Sequence, residues 1–145
     1  MERIEHIIEI DRPVEEVFRF IANPGNEPSW STGLSEERKD YGAAIGVGAT
    51  GHRVKEFLGR KMENDWEITE FRTNERIAMR STSGQTSFNS VYSFESSAAG
   101  TKLTFVGNVA TGGLFKIPEP IVSRMAKRQM ASNLSSLKNL LESAE

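Results

Sequence analysis

The sequence contains no cysteine. This absence excludes disulfide bonds, thiolate zinc sites, iron–sulfur ligation and cysteine nucleophiles, and it fits a reducing compartment. Histidine is also scarce. The only two, His6 and His52, belong to no HExxH pattern, so the sequence predicts no metal site.

Long apolar runs and an excess of one charge are lacking too. Lys and Arg number 18 against 20 Asp and Glu, so no bulk field attracts nucleic acid or an anionic membrane. No segment approaches the ~20 apolar residues of a membrane span, and charges interrupt the N-terminal MERIEHIIEIDRP where a signal peptide would be apolar. We predict a cytoplasmic protein without nucleic-acid partners or stable membrane insertion. Its 145 residues predict a single domain, 1–145.

The N-terminal part predicts a strand followed by two short helices. Alternation with period two predicts the strand, and the i, i+3, i+4, i+7 spacing predicts an amphipathic helix. Pro24 ends this helix by Asn23, since a residue before proline avoids the helical conformation. Gly25 and Pro28 then leave room for one short helical piece before Trp30. The residues that carry the two patterns are Ile4, His6, Ile8 and Ile10 in the strand, and Val14, Val17, Phe18 and Ile21 in the helix.

Residues 49–109 predict consecutive antiparallel strands. WEITEF, RIAMRS, SFNSVYSF and TKLTFVGNV are rich in β-branched and aromatic residues, and turn signals separate them at hairpin spacing. The alternation does not settle which residues of GHRVKEFLG point inward. In the other strands the predicted inward residues are Trp66, Ile68, Ile77, Met79, Tyr92, Phe94, Leu103 and Phe105.

Residues 121–142 contain neither Gly nor Pro and carry one apolar stripe, which predicts a long C-terminal helix. The order is then strand, two short helices, about six strands and one long helix. A long helix across a curved antiparallel sheet buries the apolar faces of both, so we predict an α+β fold.

Four segments in this order resemble the START-like or Bet v 1-like (SRPBCC) superfamily, in its polyketide cyclase/dehydrase-like branch. They are IEIDRPVEEVFRFIANPGNEPSW, WEITEFRTNERIAMRS, VYSFESSAAGTKLTF and NLSSLKNLLE. The resemblance implies a helix-grip fold, in which about seven antiparallel strands wrap around the C-terminal helix and two short helices follow the first strand. It also implies an elongated apolar cavity for a hydrophobic small molecule such as a lipid, polyketide, isoprenoid or quinone, and no resident cofactor.

Rings and flexible thioethers are the side chains expected to line such a cavity. Asn133 falls within the apolar stripe of the last helix, and Gln129 lies at its edge. A buried amide without partners costs about 1–3 kcal/mol, so Asn133 bonds either to backbone or to water and ligand. Trp30 is expected at the rim, with residues 46–51 and Gly112–Gly113 near an entrance. The predicted ligand-binding residues are Trp30, Phe57, Trp66, Met79, Tyr92, Phe105, Met125, Gln129, Met130 and Asn133.

An enzyme of the aromatase/cyclase or dehydratase type is the alternative that the resemblance leaves open. Its candidate polar groups are His6, His52, Arg53, Tyr92 and Asn133. The sequence contains no GxSxG motif, and Glu63, Asp65 and Glu67 share one strand face that is predicted to be solvated. Binding without catalysis is therefore preferred, and no catalytic residue is assigned.

Three further patterns have simpler interpretations. GVGATG satisfies GxGxxG but has no βαβ context, which favours a turn over a nucleotide site. The basic residues of the last helix, Arg124, Lys127, Arg128 and Lys138, favour a solvated face over transient membrane docking. The segment Gly112-Gly113-Leu114-Phe115 departs from the Gly-Trp pair of cochaperone-like relatives and disfavours an interaction module. The protein is expected as a monomer or a homodimer.

Overall fold

Seven strands form one antiparallel sheet in the computed structural model, which describes residues 2–39, 46–84, 86–110 and 117–143. The sheet order is β1-β7-β6-β5-β4-β3-β2, so hairpins join β2 through β7 and β1 closes the far edge beside β7. The strands are β1 (Glu2–Ile10), β2 (Leu34–Lys39), β3 (Thr50–Phe57), β4 (Arg60–Arg72), β5 (Arg76–Gly84), β6 (Ser87–Ser97) and β7 (Gly100–Ala110). The helices are α1 (Val14–Ala22), a 3₁₀ helix (Pro24–Ser29) and α2 (Glu119–Glu142). The predicted α+β class and element order are confirmed.

Pro24 marks the boundary between the two short helices: α1 ends before it and the 3₁₀ helix begins with it. Asn23 has an extended backbone (φ −94°, ψ 105°), as the residue before Pro24 should, and its side-chain oxygen accepts a hydrogen bond from Gly25 N at 3.1 Å. The 3₁₀ helix closes with Trp30 N donating to Glu27 O at 3.0 Å. This turn places the side chains of Glu27 and Trp30 on the same wall of the interior.

Gly33 holds the next stretch of chain against β3. It has a positive φ of 84°, and its carbonyl accepts a hydrogen bond from Glu56 N at 2.8 Å. A Cβ at this position would overlap the Glu56 carbonyl oxygen. Only glycine permits both the left-handed conformation and this close approach, so Gly33 sets the distance between the Trp30 segment and the sheet.

The sheet bends at β4, its longest strand. The register of β4 against β5 shifts between Asp65 and Trp66 and again between Ile68 and Glu70. Such bulges bend a strand and increase its twist, which curves the sheet around α2. The concave side carries the core, and α1 adds Phe18, whose ring meets those of Phe71 and Phe94 edge-on at 5.4 and 5.1 Å.

The two halves of α2 have different surroundings. Leu134, Leu137 and Leu141 of its C-terminal half are buried in the main core. Its last turn is held to the chain after β1, where Arg12 Nε donates to Leu141 O at 2.8 Å and Asp11 N donates to Glu142 Oε2 at 2.8 Å. That backbone hydrogen bond, with help from Lys138, lowers the pKa of Glu142. The N-terminal half of α2 lies instead over a space that side chains do not fill.

The GVGATG segment is a turn, as predicted. Ala49 N donates to Gly46 O at 3.0 Å and Gly48 N donates to Ile68 O at 2.9 Å, after which β3 begins at Thr50. No helix follows the glycines, so the geometry that a dinucleotide-binding loop needs is absent from residues 46–57.

Candidate functional site: a cavity between the sheet and α2

A cavity of ≈ 190 Å³ lies between the concave face of the sheet and the N-terminal half of α2. It receives side chains from β1, β3 to β7, the 3₁₀ helix and α2, because alternate residues of each strand and one stripe of α2 face the interior. The apolar part of its lining consists of Ile4, Trp30, Phe57, Met62, Met79, Phe88, Tyr92, Phe105, Val109, Val122, Ala126 and Met130.

Most of the predicted ligand-binding residues are brought together on this lining. The eight that line it are Trp30, Phe57, Met79, Tyr92, Phe105, Gln129, Met130 and Asn133. They come from four strands and two helical regions far apart in the sequence, and the fold makes one surface of them. Their contact with a ligand stays a prediction.

The structure settles the orientation of β3, which the sequence left open. Arg53, Lys55 and Phe57 line the cavity, whereas His52 projects from the opposite face and contacts Asp65. Two charged residues thus stand on the inner face of a strand, which is why GHRVKEFLG shows no apolar alternation. Counting back in steps of two from Phe57, itself a predicted lining residue, is the signal that would have found Arg53 and Lys55.

Arg53 and Glu27 form an ion pair on the cavity wall. Arg53 Nη1 lies 2.9 Å from Glu27 Oε2, and each side chain is only 16% exposed. The guanidinium also lies 5.9 Å from the centre of the Phe88 ring. Removing one partner of such a shielded pair would leave an uncompensated charge, so the two residues stabilise each other and contribute no net charge to the cavity.

Lys55 is the remaining cation of the interior. Burial is the main reason that its pKa falls to about 8, and repulsion from Arg53 adds to this, while Glu27 partly opposes it. Within the described residues, no carboxylate forms an ion pair with Lys55 and no acceptor hydrogen-bonds to its ammonium group. The cavity therefore has a basic group without a carboxylate partner among the described residues, on a wall that also carries the Arg53–Glu27 pair.

Two buried polar groups lie where the segment after the 3₁₀ helix meets α2: the amide of Asn133 and the indole N–H of Trp30. Asn133, 1% exposed, accepts a hydrogen bond from Thr32 N at 3.0 Å, and its Nδ2 lies 3.4 Å from Ser31 Oγ. Asn133 therefore bonds to backbone and also lines the cavity, and its contact with water or ligand stays a prediction. Trp30 is 5% exposed, which places it inside the wall and not at a rim. Its Nε1–H is buried and has no hydrogen-bond partner among the residues that the structure describes.

Comparison with known proteins assigns this architecture. The family model described as polyketide cyclase / dehydrase and lipid transport matches residues 1–142. The chain belongs to this family. No curated protein sequence matches the chain significantly.

Solved structures show that the family fold is the helix-grip fold. The protein TTHA0849 of Thermus thermophilus is 17% identical, with a TM-score of 0.80 over 99% of this chain and 100% of that one. CV1439 of Chromobacterium violaceum is 17% identical, with a TM-score of 0.72 over 98% of each chain. Ara h 8.0201 is 12% identical, with a TM-score of 0.73 over 99% of each chain. At these identities the likeness concerns the fold alone, and it confirms the expected SRPBCC architecture.

Two of the predicted ligand-binding residues of this family member do not line the cavity. Trp66 is fully buried and packs with Ala49 and Ile68, behind the lining residues Met79 and Phe88. It fills a second core cluster beside a register shift of β4. Met125 is 39% exposed. It follows Ile121 by one helical turn on a flank of α2 that faces solvent, whereas the cavity side carries Val122 and Ala126.

The expected entrance is only partly described. None of the residues 46–51 is on the cavity lining, so the prediction that they lie near an entrance receives no support from the cavity wall. Gly112 and Gly113 lie outside the described residues.

Neither histidine reaches the cavity. His6 Nε2–H donates to Lys127 O at 3.0 Å and so ties β1 to α2. His52 lies on the convex face, where its Nδ1 is 2.9 Å from Asp65 Oδ1. This hydrogen bond raises the pKa of His52 and, with a second bond from Ser83, lowers the pKa of Asp65. Of the polar groups considered for an enzyme, Arg53, Tyr92 and Asn133 line the cavity.

The described ranges contain neither a metal site nor a membrane-spanning helix. No group of three or more His, Asp or Glu residues there could hold a metal ion. None of the helices in those ranges is long and apolar enough to cross a bilayer.

Proposed function

We propose that this protein is a cytoplasmic binding protein that holds a hydrophobic small molecule, for transport or sequestration, in the cavity between the sheet and α2. The observation that carries the proposal is the apolar cavity of ≈ 190 Å³. A cavity of about 150 Å³ lined by aliphatic and aromatic side chains suffices to bind benzene. A space of this size accommodates one ring system or a short alkyl chain.

The lining supports reversible binding. The methionines Met62, Met79 and Met130 can adapt to different ligand shapes, and the aromatic rings supply a large apolar contact area. Membership of a family whose description includes lipid transport agrees with this chemistry.

An uncharged environment-sensitive dye with one fused ring system, 4-methylamino-7-nitrobenzofurazan, tests the proposal. Its fluorescence should rise on addition of the protein, because the dye moves from water to an apolar site. Ser90→Phe should abolish most of the rise, since Ser90 lines the cavity and the added ring would fill it. Ser93→Phe is the matched control, because Ser93 lies on the opposite face of β6. Equal dye binding by both variants would place the site outside the cavity and contradict the proposal.

Native mass spectrometry of protein purified from its own host, combined with denaturing extraction, would identify a natural ligand. A lipid, isoprenoid, quinone or polyketide that co-purifies with the wild type and is lost from Ser90→Phe is the expected result.

A cyclase or dehydratase is the second candidate, favoured by the polar groups Arg53, Tyr92 and Asn133 on the same lining. Such groups could promote enolisation and loss of water from a bound poly-β-ketone. Incubation of the protein with a short poly-β-ketone thioester, followed by mass spectrometry, tests this activity. A product lighter by one water molecule that is not formed by Ser90→Phe would support it, whereas an unchanged substrate would leave binding as the function.

A further inference from the structure

Lys55 is a charged group whose position the binding of a purely apolar molecule does not explain. It comes from the middle of β3, opposite Met62 in register, and it faces a cavity whose lining is mostly apolar. Holding a cation in apolar surroundings without a partner is costly. A methionine or leucine would fit this position at no such cost, so the lysine points to a task in the cavity.

The charges on the cavity wall do not neutralise Lys55. Four charged side chains of the described residues line the cavity: Glu27, Arg53, Lys55 and Glu119. Glu27 and Arg53 pair with each other at 2.9 Å. Glu119 is solvent-exposed in the first turn of α2, and the described residues provide no ion pair between it and Lys55. On the part of the lining that the structure describes, one positive charge remains without a partner.

Trp30 provides a second unsatisfied donor on the same wall. Its Nε1–H is buried without a hydrogen-bond partner among the described residues, and its side chain lines the cavity. Both unsatisfied groups are donors, and both belong to the side of the cavity formed by β3 and the chain after the 3₁₀ helix. A ligand oxygen that carries negative charge is the chemical complement of such a pair.

Two of the lining rings lie toward the other side of the sheet from Lys55. Tyr92 of β6 and Phe105 of β7 are cross-strand partners whose ring centres are 5.1 Å apart. Three strand positions separate β3 from β6 in the sheet order, which corresponds to roughly 14 Å along the sheet at about 4.8 Å per strand. The cavity therefore carries its basic group at one side, and the Tyr92–Phe105 pair offers an apolar surface three strand positions away.

We propose that the ligand is an amphiphile with one carboxylate, which pairs with the Lys55 ammonium group while the apolar body lies against Tyr92 and Phe105. This inference rests on the proposed function and narrows it from hydrophobic molecules in general to organic acids. The low polarity around Lys55 strengthens the attraction between the two charges. Lys55 thus orients the acid, and the apolar lining supplies most of the contact area.

Three ligands with the same alkyl chain test the charge requirement: octanoate, octan-1-ol and octylamine. In isothermal titration calorimetry at pH 7, octanoate should bind at least tenfold more tightly than octan-1-ol, and octylamine should bind most weakly. Lys55→Met should reduce octanoate to the affinity of octan-1-ol and leave octan-1-ol unchanged or slightly tighter. Lys61→Met, on the exposed face of β4, is the matched control and should leave all three affinities unchanged.

The pH dependence gives a second readout that needs no variant. Glu27, Arg53 and Glu119 are the other charged groups of the described lining, and octan-1-ol, which has no charge, controls for any effect of pH on them. Octanoate affinity should fall severalfold from pH 7 to pH 10 as Lys55 loses its proton, whereas octan-1-ol affinity should stay level up to pH 9. Equal binding of octanoate and octan-1-ol by the wild type would overturn the inference. Binding of the uncharged dye in that same experiment would still support the proposed function, and failure of the dye as well would overturn both.

Discussion

At the scale of single residues, the cavity wall combines polar groups that stabilise the fold with one group, Lys55, that destabilises it. Asn133 and the Glu27–Arg53 pair have their hydrogen-bonding or charge requirements met by described neighbours. Lys55 does not, and its lowered pKa records the cost of burying the charge. Functional sites commonly hold such perturbed groups.

The stability of the ligand-free protein should depend on pH through Lys55. Its pKa is about 8 in the folded protein, below the ordinary lysine value of 10.5. Between these values the unfolded chain binds more protons, so stability rises with pH in this window. Lys55→Met should remove this rise and stabilise the protein at pH 7, by up to roughly 3 kcal/mol at 1.36 kcal/mol per pKa unit. Urea unfolding of both proteins at pH 7, 8.5 and 10 measures the difference. A constant gap between them at all three values would contradict it.

Asn133 should contribute to stability through its bond to backbone. Asn133→Ala would leave the N–H of Thr32 without its acceptor, and an unsatisfied donor of this kind costs about 1–3 kcal/mol. The melting temperature should fall accordingly. Asn139→Ala, at an exposed position of α2, is the control and should change it little. Thermal unfolding followed by circular dichroism makes the comparison, and equal melting temperatures for the two variants would show that the Thr32 bond has no net effect.

At the scale of elements, the connection between the 3₁₀ helix and β2 decides where Trp30 and Glu27 lie. Gly33 has both a left-handed conformation and a close contact with the Glu56 carbonyl. Gly48 has a similar φ of 90° but open space around the Cβ position. A comparison of the two glycines therefore separates the energetic cost of the left-handed conformation from the cost of the close contact with Glu56.

Gly33→Ala should therefore destabilise the protein by more than Gly48→Ala. The left-handed conformation alone costs an alanine about 1–2 kcal/mol, and displacing Glu56 adds to this only at Gly33. We expect a loss of about 1 kcal/mol for Gly48→Ala and at least twice as much for Gly33→Ala, measured by urea unfolding. Losses of the same size would mean that β3 yields to the added methyl group without strain.

The long helix α2 shows how one element serves two purposes. Its predicted apolar stripe includes Val122, Ala126, Met130, Leu134 and Leu137, with one period throughout. The last two are buried in the core, whereas the first three line the cavity. The periodicity predicts which face is turned inward, and the surrounding strands decide whether that face meets side chains or empty space.

At the scale of the whole molecule, much of the fold follows from local patterns. The strand periodicity of the N-terminus, the prolines after α1, the hairpin signals and the last apolar stripe predict most elements in their places, and the structure confirms these. The strand β2 (Leu34–Lys39) lies before the predicted run of strands in residues 49–109. Eight of the ten predicted ligand-binding residues lie on the cavity lining. Met125 and Trp66 do not. Whether a flank of α2 faces the cavity and where Trp66 packs depend on neighbours from other elements, which the local pattern does not include.

The sequence by itself determined the α+β class, the order of the elements and the family, because each depends on the spacing of residues near one another in the chain. Only the tertiary structure decided that β3 turns Arg53 and Lys55 inward, that Glu27 neutralises the first, and that Lys55 has no carboxylate partner among the described residues of the cavity that Trp30 also lines. These are relations between segments far apart in sequence. Their energies depend on burial and on distances between charges, which exist only once the sheet has curved around α2.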